Sequence, residues 1–160
     1  MNCETMLYPE APEELYPLLY QQLEALTRDV PHRIANLANA SAVLMEALKE
    51  INWVGFYLME GQNLVLGPFQ GKPACIEIPV GRGVCGRAVE TGQTQLVADV
   101  HAFPGHIACD SASRSEIVVP LYRDGQVAAV LDVDSPQVGR FSQADKEGLE
   151  SLRPILEGLL

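Results

Sequence analysis

Positive charge is scarce in this chain: 11 lysines and arginines stand against 21 acidic side chains, a formal net charge of −10 over 160 residues. Such a surface repels phosphate backbones and anionic lipid, which argues against nucleic acid and membrane partners and leaves a small solute or another protein. Long apolar runs are missing too, since none approaches the roughly 20 residues a membrane span requires. The acidic start MNCETMLYPEAPEELY lacks the basic residues and apolar stretch of a secretory signal. A cytoplasmic protein is the expectation. There is no internal repeat, low-complexity tract or linker, so residues 1–160 read as one domain, with enough hydrophobic content (48%) to bury a core unaided. Four cysteines are too few for a disulfide scaffold. With no C-x-x-C pair, and positions 75, 85 and 109 spaced like no zinc site, neither a metal nor another cofactor is expected. What remains for these thiols is redox chemistry, or burial.

Leu15, Leu18, Leu19, Leu23 and Leu26 recur at helical spacing, which predicts a helix over Pro12 to Asp29. A second helix is predicted from Pro31 to about Leu48, with Ile34, Leu37, Ala38, Leu44, Met45 and Leu48 inward. From Ile51 the period changes to two, in the runs INWVGFYLM, NLVLGPF, ACIEIPV, TQLVADV, SEIVVPLY and QVAAVLDVD. Asp124-Gly125 supplies a hairpin turn. A short helix fits Val84 to Val89, stopped at Gly92, and a last helix over 142–160 begins at the capping pair Ser142 and Asp145. Helices followed by hairpin-linked strands predict an α+β architecture, a central antiparallel sheet of about six strands with helices packed on one face. The sheet and its site are placed within residues 51–135. Along the last strand Val127, Ala129, Leu131 and Val133 share an apolar face, which puts Asp132 and Asp134 together on the other.

Cys109 lies mid-loop in HAFPGHIACDSASRS, where backbone N–H groups can stabilise a thiolate or hold a carboxylate. It is the candidate nucleophile. Cys75, at a strand start, is the preferred resolving thiol and Cys85, in the short helix, a secondary one; either also reads as a small buried hydrophobe. Cys3 is spare. Glu116 opens an apolar strand, where burial would raise its pKa and suit it to donate a proton, although a solvated strand start reads equally well. Two like charges at Asp132 and Asp134 ask for a cation between them, such as an ammonium. Trp53 and Tyr57 flank Gly55, forming an aromatic notch or simply core. His101 and His106 flank the Cys109 loop without distinctive spacing, and Arg114 is read as a surface partner of Asp110. Gly81, Gly83 and Gly86 match G-x-G-x-x-G, but Gly92 ends the following helix too early for a parallel crossover, so a tight turn is preferred to dinucleotide binding.

Taken together, NWVGFYL, LGPFQGKPACIEIPVGRGVCG, ADVHAFPGHIACDSASRSEIVVPL and VLDVDSP closely resemble the free methionine-(R)-sulfoxide reductases, which are GAF-domain proteins. The resemblance runs from about Asn52 to the final helix. It implies a GAF-like fold and reduction of free methionine (R)-sulfoxide, with Cys109 attacking sulfur to become a sulfenic acid and Cys75 closing a disulfide. It gives Cys85 a variable, relay-like part and Glu116 the task of binding or protonating the sulfoxide oxygen. Asp132 and Asp134 would hold the amino group, Trp53 and Tyr57 would line the methyl pocket, and amides around Ile107 and Ala108 would hold the carboxylate. Thioredoxin is the implied reductant, and a homodimer through terminal helices is a natural assembly for such a domain. The alternative is a GAF ligand sensor for a cyclic nucleotide or a redox signal, without turnover.

Overall fold

The computed structural model describes residues 7–107 and 110–160, so the expectations placed on Cys3, Ala108 and Cys109 lie outside the described residues. Helices α1 (Pro12–Thr27) and α2 (Arg33–Ala47) lead into strands β1 (Trp53–Glu60), β2 (Asn63–Gln70) and β3 (Glu77–Pro79). Helix α3 (Gly83–Thr91) follows, then β4 (Gln95–Val97), β5 (Ser115–Arg123), β6 (Gln126–Ser135) and helices α4 (Gln143–Ser151) and α5 (Arg153–Glu157). The strands form one antiparallel sheet in the order β3-β2-β1-β6-β5-β4. Two short strands therefore sit at its edges.

The strand period divides the interior into two clusters. Val54 and Phe56 of β1, Ile117, Val119 and Leu121 of β5, and Ala129, Leu131 and Val133 of β6 face α1, α2, α4 and α5. Trp53, Tyr57, Val118 and Val130 face the other way, toward α3. Four helices thus share one face as the sequence implies, while α3 bridges the two edges across the opposite face. Val127 departs from the expected parity. The register shifts between Leu121 and Tyr122, which pair with Ala129 and Val127 respectively, and this bulge sends Val127 to the α3 side.

The predicted helices form, with local corrections. In α2, Ile34 and Ala38 are exposed, and the buried face instead carries Asn36, Leu37, Ala40, Ser41 and Leu44. Two polar residues are tolerated there because Asn36 Nδ2 donates to Val30 O at 2.9 Å and Ser41 Oγ to Leu37 O at 2.8 Å. At the C-terminus the single predicted helix is two, separated at Leu152 ahead of Pro154, whose ring cannot continue the first ladder. The run from Ala74 also shrinks: Cys75 lies in the loop before β3, not at a strand start. Asp124 (φ 52°) and Gly125 (φ 76°) make the β5–β6 turn with both central residues left-handed, as a type I′ hairpin requires. No helix among the described residues is long and apolar enough to cross a membrane.

Asp145 ties the helical layer together. Its carboxylate completes the capping box with Ser142, accepts the Tyr16 hydroxyl at 2.8 Å and meets Arg140 Nη1 at 3.2 Å, all in a buried position. Asp145→Ala would orphan a buried hydroxyl and a mostly buried guanidinium as well as the helix cap. A loss of about 3 kcal/mol is expected in urea unfolding, against under about 0.5 kcal/mol for the exposed Glu147→Ala.

Candidate active site

Three neighbouring strands build the floor of a cleft. Trp53 on β1 pairs with Asp134 on β6, and Asp134 pairs in turn with Glu116 on β5. The next row on the same face is Gly55, Asp132 and Val118, and the one after it Tyr57, Val130 and Pro120. Antiparallel register therefore places three carboxyl groups from two strands within two adjacent rows. The first turn of α3 adds Cys85: its sulfur and one oxygen each of Glu116 and Asp132 lie within 4.8 Å of one another. Arg82, His106, Ile107, Asp110 and Ser113 also line the cleft. Ile107 and Asp110 are the described residues on either side of positions 108 and 109.

The glycines before α3 serve packing. A Cβ at Gly86 would fall 2.6 Å from Pro79 O, so that residue lets the helix sit tight on the β3 end. Gly83 adopts a left-handed φ of 59° against Ile107. In a wholly antiparallel sheet whose β3 and β4 lie at opposite edges, the G-x-G-x-x-G spacing has no parallel crossover to serve. The notch expected at Gly55 is closed as well. A Cβ there would meet Phe69 Cβ at 2.3 Å, and Phe69 stacks on Trp53 with ring centroids 5.1 Å apart.

The aromatic pair has polar work of its own. Trp53 Nε1 donates to Lys72 O at 3.1 Å and the Tyr57 hydroxyl to Cys75 O at 2.9 Å, while the two rings stack at 5.9 Å. The segment carrying Cys75 is thereby pinned to the sheet. Cys75 is half-buried and disulfide-bonded; Cys85 is a free, buried thiol. On the far side of position 109, Asp110 accepts Ala112 N at 2.8 Å and Asn52 Nδ2 at 3.0 Å, and Asn52 also reaches Ser113 Oγ at 3.2 Å. Arg114 is exposed and makes no ion pair among the described residues, so the partner of Asp110 is Asn52 rather than Arg114. His101 is exposed and does not line the cleft; its backbone N–H is held by Asp99.

Electrostatics follow from burial. Desolvation first, then the charges of Asp132 and Asp134, push the Glu116 carboxyl well above its ordinary value. Asp134 is raised well above its own by burial of the carboxyl and by Asp132, although the residue as a whole is only partly buried. Asp132 is pushed up by burial only to about 6, because hydrogen bonds with Glu116 and Cys85 favour its charged form. Burial and the neighbouring acids likewise keep the Cys85 thiol protonated. His106 Nε2 lies 3.9 Å from Glu116 Oε2, but burial lowers His106 while raising Glu116, so this is a contact between neutral groups. One oxygen of Asp132, Oδ1, is buried without a hydrogen-bond partner among the described residues.

A family model described as a GAF domain matches residues 35–153. The free methionine-R-sulfoxide reductase of Escherichia coli (strain K12) is 54% identical over 147 residues, covering 92% of this chain and 89% of that protein. The chain belongs to the free methionine-R-sulfoxide reductase family. The Saccharomyces cerevisiae (strain ATCC 204508 / S288c) member is 44% identical over 152 residues, covering 90% of this chain and 84% of its own. A solved free methionine-R-sulfoxide reductase from Neisseria meningitidis, in complex with its substrate, superposes with a TM-score of 0.92 at 47% identity, covering 96% of this chain and 93% of that one. Measured against that family, the cleft brings together the sequence-level candidates Trp53, Tyr57, Cys85, Ile107, Glu116, Asp132 and Asp134. Cys75 is joined to it through Tyr57. Sequence reasoning missed Phe69, Arg82, Ser113 and the tether at Asn52. Arg82 was hidden inside the glycine motif, and only the bulged β1–β2 register brings Phe69 against Trp53.

Raised carboxyl pKa values leave a thermodynamic trace. The unfolded chain releases these protons near pH 4.5, Glu116 folded does so well above it, and stability is therefore full below the unfolded value and falls as pH rises toward the folded one. Glu116→Gln keeps the shape of the protonated acid without its ionisation. It is expected to melt a few degrees above the parent at about pH 8 and level with it at about pH 4. A variant that melts level with the parent at both pH values would mean that neither burial nor its neighbours raise the Glu116 carboxyl.

Proposed function

We propose that the protein reduces free L-methionine (R)-S-oxide to L-methionine. The observation that carries this reading is a single cleft in which a protonated acid, two further carboxylates and an aromatic wall converge beside the segments that hold Cys75 and flank Cys109. A sulfoxide sulfur becomes electrophilic once its oxygen is hydrogen-bonded or protonated, and Glu116 holds a proton near neutrality for that step. Asp132, at about 6, is ionised under the same conditions. Together with Asp134, whose raised pKa the arriving positive charge would lower, it would take the substrate ammonium. Trp53 and Tyr57 offer the methyl and thioether an apolar, polarisable wall.

In the proposed sequence the Cys109 thiolate attacks the sulfoxide sulfur while Glu116 protonates its oxygen. Oxygen passes to the cysteine as sulfenic acid, and methionine departs with its sulfur reduced by two electrons. The Cys75 thiol then displaces hydroxide from Cys109, forming a disulfide and, with one proton, water. The disulfide at Cys75 in this structure supports its use as the resolving thiol. Cys85 is less suited to that step, because burial keeps it protonated on the cleft floor. A thioredoxin-class dithiol would return both electrons. Selectivity for the free amino acid follows because a peptide-bound methionine brings no ammonium, leaving Asp132 and Asp134 uncompensated. The same acids disfavour a cyclic-nucleotide sensor, whose phosphate they would repel.

Thioredoxin-coupled NADPH consumption tests the reading. Turnover is expected with the free R epimer, and little with the S epimer or a peptide-bound sulfoxide; equal rates on all three would overturn it. Cys109→Ser is expected to abolish turnover, and undiminished activity would remove the assigned nucleophile. Asp134→Asn is expected to raise KM roughly tenfold or more with a smaller change in kcat, because an ammonium contact acts in ground and transition states alike.

A further inference from the structure

We propose that the floor of the cleft, formed by Cys85, Glu116 and Asp132, is a binding site for a thiophilic divalent cation of the Zn2+ class. No pair of these residues stands at metal-ligand spacing along the chain; α3, β5 and β6 bring them together, with the three donor atoms within 4.8 Å of one another and all three residues buried. Tetrahedral bonds of about 2.0–2.3 Å set donors about 3.3–3.8 Å apart. Small side-chain rotations close that difference.

An independent observation points to a ligand. Asp132 is 6% exposed, faces the cleft, and its Oδ1 has no hydrogen-bond partner among the described residues. A buried carboxylate oxygen left in this way is stabilised by a cation. Acidic groups also outnumber basic ones there: Glu116, Asp132, Asp134 and Asp110 line the cleft, and Arg82 and His106 are the basic side chains among its described lining. Binding would displace the protons of Cys85 and Glu116, and the resulting thiolate with two carboxylates suits Zn2+ better than Mg2+ or Ca2+, which prefer oxygen alone. His106, whose Nε2 is 3.9 Å from Glu116 Oε2, stands near enough to supply a nitrogen as the fourth ligand after a modest movement.

This position overlaps the one given above to the substrate ammonium. A bound cation and methionine sulfoxide therefore exclude each other, and thiophilic metals act as competitive inhibitors. The exclusion rests on the proposed function; the cation site does not.

The test is a Co2+ titration of the full-length protein in its disulfide form, in which Cys75 is not available as a ligand. One equivalent is expected to produce a thiolate-to-Co2+ charge-transfer band that Zn2+ abolishes. Cys85→Ser and Cys85→Ala should remove the band, Asp132→Asn should weaken binding about tenfold or more, and Cys3→Ser should leave it intact. Circular dichroism confirms that each variant is folded. No band, or a band that survives both Cys85 variants or vanishes in Cys3→Ser, overturns the site. Free L-methionine, which carries the same ammonium, should displace the metal competitively. A Cys85-dependent band that methionine leaves unchanged upholds the cation site and overturns only the mutual exclusion.

Discussion

Three carboxyl groups packed against one another on a largely buried sheet face cannot all carry charge, and the rest of the cleft is arranged around that conflict. Burial holds protons on Glu116 and Asp134, while hydrogen bonds from its neighbours bring Asp132 closer to its ordinary behaviour. One environment thus separates the protonation of neighbouring carboxyl groups, which would titrate alike in water. The arrangement opposes stability, since apolar residues in these places would cost nothing to bury. It persists because the opposite face of the sheet, against α1, α2, α4 and α5, supplies the main hydrophobic core.

Precision comes from the strands. Glu116 and Asp134 are direct cross-strand partners, and Trp53 completes the row, so their separation is set by backbone hydrogen bonding and not by flexible loops. The loops are then tied to that frame one at a time: Trp53 and Tyr57 hold the 72–75 segment through its carbonyls, and Asn52 holds the 110–113 turn. Sulfur chemistry needs groups that approach and separate, whereas proton transfer needs fixed geometry. With Cys75 on a tethered loop and the three acids on strands, the proposed chemistry would have both.

Much of this was legible in the chain itself. Alternation along β6 placed Asp132 and Asp134 on one face, Ser142 and Asp145 announced a capping box, and Asp124-Gly125 announced a type I′ turn. Each of these signals spans a few residues and depends on local geometry alone. Reading failed where a local pattern had several tertiary solutions. The apolar stripe of α2 fits Ile34 inward as well as outward, and only docking on the sheet chose Asn36 and Ser41 instead. Val127 follows perfect alternation until a bulge, invisible in residue types, reverses it. Gly55 looked like vacant space, but Phe69 from the neighbouring strand fills it.

From sequence alone came the α+β class, the parity of the acidic face and the short list of candidate thiols and acids, because those depend on spacing within single elements. Tertiary structure alone decided that Glu116 stands opposite Asp134, that Cys85 shares the floor with Asp132, and that the Tyr57 hydroxyl reaches the Cys75 carbonyl. Those contacts join residues far apart in the chain, and their distances are set by strand register and helix docking, which no local pattern encodes.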